Sequence, residues 1–281
     1  MADDTLIWPS KLHHLCLTTG QRSKMIEWYR DTMGLTPVDT DDGMTWMKGS
    51  QRNLLLQDGE AGGAAFIGLA VADTAHLERL RIHVEAENIP THRLTSPMFR
   101  DDSFAITDPD GHLVLFGLPK NSLGSLDARP GCLQHIVFAT TNLDRIVSFY
   151  TDKLGCKISD IVREEDTGDR TACFLRTDEM HHTLAFFRAP AIKLDHFAHE
   201  ATCWNDIRDW GDHFASHHVE IVWGAGRHGA GNNLFIFVRD PDENNVEISA
   251  ELETLTFDQK PRYWPHNNRA LNLWGHAWLR S

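Results

Sequence analysis

Two histidines and a glutamate, His135, His196 and Glu247, each fall on a segment whose alternation reads as a β-strand. Two imidazoles and one carboxylate can hold an octahedral divalent ion by one face and leave the other open. Non-heme Fe(II) centres that take up an organic substrate and O2 together use such a donor set. His135 leads an alternating run with Val137 and Ala139 on its face. His196 shares a face with Ala198 and Glu200, whereas His199 has the opposite parity and is not expected on the same ion. Glu247 shares its face with Asn245 and Ser249. Donors from three separate strands can converge inside a cupped sheet. A single histidine here is weak evidence, because the chain has 17 and most must be ordinary core or surface groups. The register of all three donors within one half of the chain is what favours a metal.

The elements that must position them are repeated. Lys11–Pro37 (KLHHLCLTTGQRSKMIEWYRDTMGLTP) aligns without a gap within Cys132–Ser159. His14 pairs with His135, Tyr29 with Tyr150 and Gly34 with Gly155. Each copy reads as a short strand leading into a helix, with Ile146, Val147, Phe149, Tyr150 and Leu154 at helical spacing in the second and glycine as the stop. Later, Asp108-Pro-Asp-Gly-His-Leu-Val-Leu115 pairs with Asp240-Pro-Asp-Glu-Asn-Asn-Val-Glu247, a turn followed by a strand. Further helices are expected at Thr74–Asn88 and Trp204–His217. The Ser/Gly/Pro-rich stretch between Pro119 and Pro130 marks a boundary, giving an N-terminal domain over 1–119 and a C-terminal domain over 131–281. The first half carries Leu115 where the second has Glu247, and Phe66 falls near the place of His196. A metal is therefore expected only in the second half, with structure or assembly left to the first.

Composition narrows the function classes. The net charge of -13 argues against nucleic acid, whose phosphates need clustered Lys and Arg. No apolar run approaches the length of a membrane span, and MADDTLIWPS lacks the regions of a signal peptide. Five scattered cysteines without a CxxC fit a reducing cytoplasm better than a disulfide framework.

The C-terminal half resembles the type I extradiol ring-cleavage dioxygenases of the vicinal oxygen chelate superfamily, and the resemblance extends over nearly the whole chain. Its signature reads here His228-Gly-Ala-Gly-Asn-Asn-Leu-Phe-Ile-Phe237-Val-Arg-Asp-Pro241-Asp-Glu-Asn-Asn-Val-Glu247. The resemblance implies an α+β fold of tandem βαβββ modules forming two open barrels. It implies Fe(II) ligation by His135, His196 and Glu247, with Mn(II) compatible with the same donors. His182 of His181-His182-Thr183 takes the place of the acid/base histidine, and His228 that of a histidine near the substrate oxyanion. The partners implied are a small aromatic diol and O2, without nucleic acid or membrane, in a homo-oligomer. Two positions depart from the family pattern: Phe237 replaces a tyrosine, removing a hydroxyl directed at substrate, and Glu243 replaces a glycine or proline in the turn.

Ring cleavage of a diol asks for a group that removes a proton and later returns one, which suits a histidine titrating near neutrality. His181 has the opposite parity to His182 and is expected to face solvent. An apolar pocket for the ring is expected from Phe174, Phe186, Phe187, Ile192 and Phe237. The aromatic-rich tail from Tyr263 to Trp278 is expected either to cover the mouth of the site or to pack on the outer sheet. Two other classes stay open. A glyoxalase-type isomerase or lyase would need a fourth ligand, against which Leu115 argues. A non-catalytic binding protein of the same fold would lack the three donors.

Overall fold

The computed structural model describes residues 6–49, 53–120 and 131–278. The first half runs β1 (Ser10–Thr19), α1 (Arg22–Asp31), β2 (Thr36–Asp39), β3 (Thr45–Lys48), β4 (Asn53–Asp58), β5 (Gly63–Val71), α2 (Thr74–Ala86), β6 (Thr91–His92), β7 (Phe104–Thr107) and β8 (Leu113–Gly117). The second begins with β9 (Leu133–Thr140), α3 (Leu143–Ser148), β10 (Lys157–Arg163), β11 (Arg170–Arg176) and β12 (Leu184–Arg188). It continues with β13 (Lys193–Ala201), α4 (Trp204–Ser216), β14 (Trp223–Arg227), β15 (Leu234–Arg239) and β16 (Asn245–Ala250), then β17 (Arg262–Pro265) and α5 (Asn268–Leu271). Each half is two βαβββ modules. The first sheet has the order β2-β3-β4-β1-β5-β8-β7-β6. The second, β14-β15-β16-β13-β9-β12-β11-β10-β17, is the same arrangement with one strand of the tail added at its edge. The expected boundary lies, from residue 121 to 130, outside the described residues.

Strand alternation sends each sheet's residues to two different cores. Ile136, Phe138 and Phe186 face outward under the helices, against Ile146, Tyr150, Trp210 and Phe214. Val137, Ala185, Phe187 and Phe237 face inward. Helices α2 and α3 start at side-chain caps. Asp73 caps α2 by accepting from the His76 amide, and Asn142 caps α3 by accepting from the Arg145 amide. At the Asp-Pro-Asp turns, Oδ1 of Asp108 and of Asp240 each accepts two backbone amides. Gly111 and Glu243 occupy the same left-handed position, φ 92° and 63°. There Gly111 costs nothing and Glu243 is strained.

The two halves clamp each other reciprocally. The Tyr29 hydroxyl donates to Asp240 Oδ2 at 2.9 Å, and Tyr150 donates to Asp108 Oδ2 at 3.0 Å. His213 and His83 likewise meet the carbonyls of Thr32 and Lys153 in the opposite half, at 2.7 and 2.8 Å. The tyrosine of each repeat is thus bonded to the turn of the other. In the second half that turn leads directly into the strand carrying Glu247. No helix among the described residues is long and apolar enough to cross a membrane.

Candidate metal centre and its pocket

Three central strands bring the candidate donors together. In the antiparallel pair β9–β13, His196 lies opposite Val137 and Ala198 opposite His135. In the parallel pair β13–β16, Ala198 lies beside Glu247. The ligating atoms of His135, His196 and Glu247 all lie within 4.8 Å of one another. Both imidazoles point Nε2 at one oxygen: His135 at 3.0 Å and His196 at 3.3 Å from Glu247 Oε2. The opposite ring nitrogens are engaged, His135 Nδ1 with Gln134 Oε1 at 3.2 Å and His196 Nδ1 with Asp195 Oδ1 at 2.6 Å. Asn233 steadies the carboxylate, donating to Glu247 Oε1 at 3.1 Å and to Ser249 Oγ at 2.9 Å.

The first half has the same register with different side chains. Phe66 lies opposite Cys16, and Gly68 lies between His14 and Leu115. Phe66 thus holds the place of His196 and Leu115 that of Glu247. The interior is filled instead by Cys16, Met44, Leu55, Phe66, Phe99 and Leu115. His14 is sandwiched there, its ring 4.6 Å from Phe99 and its Nε2 bonded to Ser96 Oγ. One half is plugged with hydrocarbon and the other keeps a polar cluster.

The electrostatics of that cluster suit a divalent cation. Burial alone would raise the Glu247 carboxyl, but His135, with His196 and His228, holds it well below the usual carboxylate range. Burial lowers His135, and Glu247 offsets this only in part. His196 is raised: burial works against the charge but is outweighed by Asp195 and Glu247. His182 does not titrate near neutrality as expected: burial first, then His135 and His181, hold it well below its ordinary value, so it is a neutral imidazole at pH 7. A buried carboxylate ringed by imidazole nitrogens, each fixed from behind, is the chemistry of a metal-ligand set with its supporting shell. The donors fit a divalent first-row ion.

The pocket around the three donors is lined by Val137, Phe174, His182, Phe187, Trp223, His228, Ala230, Ala270 and Leu271. Its free volume is about 20 Å³, enough for a water molecule and too little for an aromatic ring. His182 stacks obliquely 4.2 Å from His135, and Phe174 meets its edge at 5.1 Å. His228 sits with Nε2 3.6 Å from Glu247 Oε1, its ring stacked on Phe235 and its Nδ1 bonded to the Leu271 carbonyl. Phe237 is fully buried, edge-on to His196 at 5.1 Å and beside Trp223.

Several expectations are corrected. Phe186 faces away from the pocket, 5.2 Å from Tyr150 under the helices. The turn at 180–183 breaks the alternation between His182 and β12, so Phe187 takes the inward place. Ile192 is 44% exposed in a loop and is not among the residues lining this pocket. His181 does not face solvent: it is fully buried and bonded Nδ1 to Nδ1 with His182 at 2.9 Å. The tail does both things expected of it. Arg262–Pro265 adds a strand beside β10, while Ala270 and Leu271 wall the pocket and Trp278 stacks on Trp223 at 5.1 Å. The glycine-rich loop after β14 admits this approach, since a Cβ at Gly229 would sit 2.2 Å from the Arg269 carbonyl. Trp223, Asp195 and Asn233 had no sequence signal of their own beyond adjacency to His196 and to the His228 motif.

Tandem βαβββ modules with a possible two-histidine, one-carboxylate metal site in one half are an arrangement of the vicinal oxygen chelate type. The sequence model of the Glyoxalase/Bleomycin resistance protein/Dioxygenase superfamily matches residues 11–116 and 133–248, and the chain belongs to that superfamily. It is 30% identical over 207 residues to metapyrocatechase 2 of Cupriavidus necator, an alignment spanning 64% of this chain and 62% of that relative. It is 27% identical over 274 residues to biphenyl-2,3-diol 1,2-dioxygenase of Paraburkholderia xenovorans, spanning 89% of each. Among solved structures, the 2,3-dioxygenase LapB from a Pseudomonas species superposes with a TM-score of 0.83 at 22% identity, covering 91% of this chain and 96% of that one.

Proposed function

We propose that the protein is an Fe(II)-dependent extradiol dioxygenase that opens the ring of a catechol-like aromatic diol beside its hydroxyls, using O2. The observation that carries this reading is the convergence of His135, His196 and Glu247 in one buried pocket, set against Phe66 and Leu115 at the same register in the other half. The relatives named for diol substrates support it, as does the apolar wall of Phe174, Phe187, Val137 and Trp223.

When bound, Fe(II) supplies a centre at which a diol and O2 are held together and exchange electrons. His135 and His196, through Nε2, and Glu247 would hold it. The remaining chemistry belongs to the chain. His182, neutral and at the pocket wall, accepts a proton from a diol hydroxyl and returns one later in the reaction. His228 offers a second polar contact from the side of Glu247. The aromatic wall seats the ring and excludes water. The small free volume means that Ala270, Leu271 and the tail must yield for a ring to enter.

A glyoxalase-type isomerase sharing its ligands between halves is disfavoured by the hydrocarbon plug around Phe66 and Leu115. A metal-free binding protein is disfavoured by the buried charged cluster. Mn(II) is accepted by the same donors. The proposal extends to a cytoplasmic homo-oligomer in which 131–281 is the catalytic domain. The five cysteines are free thiols, as a reducing compartment requires. The test is metal content of the purified protein together with oxygen uptake across a panel of aromatic diols. Bound iron and a yellow ring-opened product are expected. Iron without uptake on any diol would overturn the reaction, and absence of stoichiometric metal would overturn the site.

A further inference from the structure

Behind His182 lies a second, fully enclosed set of polar groups. His182 Nδ1 and His181 Nδ1 are 2.9 Å apart, so one donates and the other accepts. His181 Nε2 faces Asp160 Oδ2 at 3.1 Å, an ion-pair distance without the alignment of an ideal hydrogen bond. The side chains of His181 and Asp160 are both completely buried. Asp160 is held by strong donors from the tail: Arg262 Nε at 2.7 Å and Nη2 at 3.1 Å, and Trp264 Nε1 at 2.8 Å. Arg262 is fixed in turn by Glu253 at 2.6 and 3.0 Å. The His181 backbone is pinned as well, its amide donating to the Glu253 carbonyl at 2.8 Å and its carbonyl accepting from Ser159 Oγ.

This order of partners decides which nitrogen of His182 carries a proton. Burial works against charge on Asp160, but His181 and Arg262 outweigh it and keep it a carboxylate. The His181 nitrogen facing a carboxylate carries its hydrogen, since a lone pair there would repel the oxygen. A neutral His181 protonated on Nε2 has a lone pair on Nδ1. His182 must then donate from its own Nδ1, which leaves Nε2 as the acceptor. Which nitrogen of an imidazole is basic is set by the bond the other one makes. We infer that His181 and Asp160 are positioning residues, which hold His182 as the Nδ1–H tautomer so that Nε2 is presented to the substrate as the proton acceptor. When His182 gains a proton, the same chain disperses the charge toward Asp160. The β17 strand of the tail, by supplying Arg262 and Trp264, completes this chain as well as covering the sheet edge.

The catalytic consequence rests on the proposed diol activity, but the tautomer does not. The experiment uses full-length protein labelled with 15N at histidine, both metal-free and loaded with diamagnetic Zn(II), in long-range 1H–15N spectra. Wild type is expected to show His182 with a protonated Nδ1 and an unprotonated Nε2. Asp160→Asn and, separately, His181→Gln are expected to move His182 to the other tautomer or to a mixture. With Fe(II), metal content and KM for a turned-over diol should stay within about twofold of wild type. Over the same comparison kcat should fall by about 10²-fold, the lower end of what a general base contributes. If Asp160→Asn does not fold, His181→Gln carries the test, because its amide fills similar space. An unchanged His182 tautomer in the folded variants overturns the inference. If wild type oxidises no diol, the proposed activity fails while the spectra still decide the roles of His181 and Asp160.

Discussion

The clamp between the halves makes a pH-dependent stability that can be worked from the structure. Asp240 is 3% exposed and its carboxyl is pushed up to about 6, by burial first, against the opposing bonds from Asn244 and Tyr29. In the unfolded chain the same group titrates near 3.8. Between those values the folded state holds the extra proton, so the stability contributed by this group is full below the unfolded value and is lost as pH rises through the folded one. A rise of roughly two units is worth about 3 kcal/mol in all, of which about 1.4 kcal/mol separates pH 5 from pH 8. Asp240→Asn removes the titration while keeping an acceptor for the backbone amides of Asp242 and Asn244. Its destabilisation should therefore be larger at pH 5 than at pH 8 by about 1.4 kcal/mol, because only wild type gains at low pH. Urea unfolding of both proteins at the two pH values measures this, since all other titrations cancel in the difference. Tyr29→Phe serves as an internal check. It removes a hydroxyl that stabilises the carboxylate, so the pH dependence of that variant should be steeper than wild type. If the Asp240→Asn penalty agrees at both pH values to within about 0.3 kcal/mol, the resolution of such comparisons, the carboxyl titrates normally and the burial argument is wrong.

Alanine at His135, His196 or Glu247 should each abolish tight metal binding, read by metal analysis, because a three-donor site has no spare. His14→Ala should leave metal content unchanged, and loss of the metal there would mean the repeat has been read in the wrong half. His182→Gln should retain metal while turnover falls by roughly 10²–10⁴-fold, and unchanged turnover would make it a structural histidine. Phe237→Tyr places a hydroxyl beside His196 and should raise the rate on simple catechols relative to more polar diols, the gain from a bond to a charged oxygen being roughly 1.5–3 kcal/mol. Flat relative rates across a diol panel would show that the position does not select substrate.

The tandem modules, the helices near Thr74 and Trp204 and the asymmetry between Glu247 and Leu115 were legible in the chain. Each rests on periodicity or on pairing of equivalent positions, which are one-dimensional properties. The equivalence of Phe66 and His196 could be placed approximately from the alignment, and strand pairing sharpened it to one register. Parity failed where an irregular turn intervened. Residues 180–183 reset the alternation, so Phe186 went to the helix side and Phe187 to the pocket. It also failed for His181, because the groups that make its burial affordable, Asp160 and Arg262, lie 21 and 81 positions away along the chain. The sequence by itself determined the donor types and the strands that carry them, because donor chemistry and side-chain alternation are written residue by residue. Only the tertiary structure decided how small the pocket is, which aromatic rings wall it and which nitrogen of His182 is basic. Those depend on what distant segments bring to a buried group, and in a medium without water a partner's position sets both the charge and the proton.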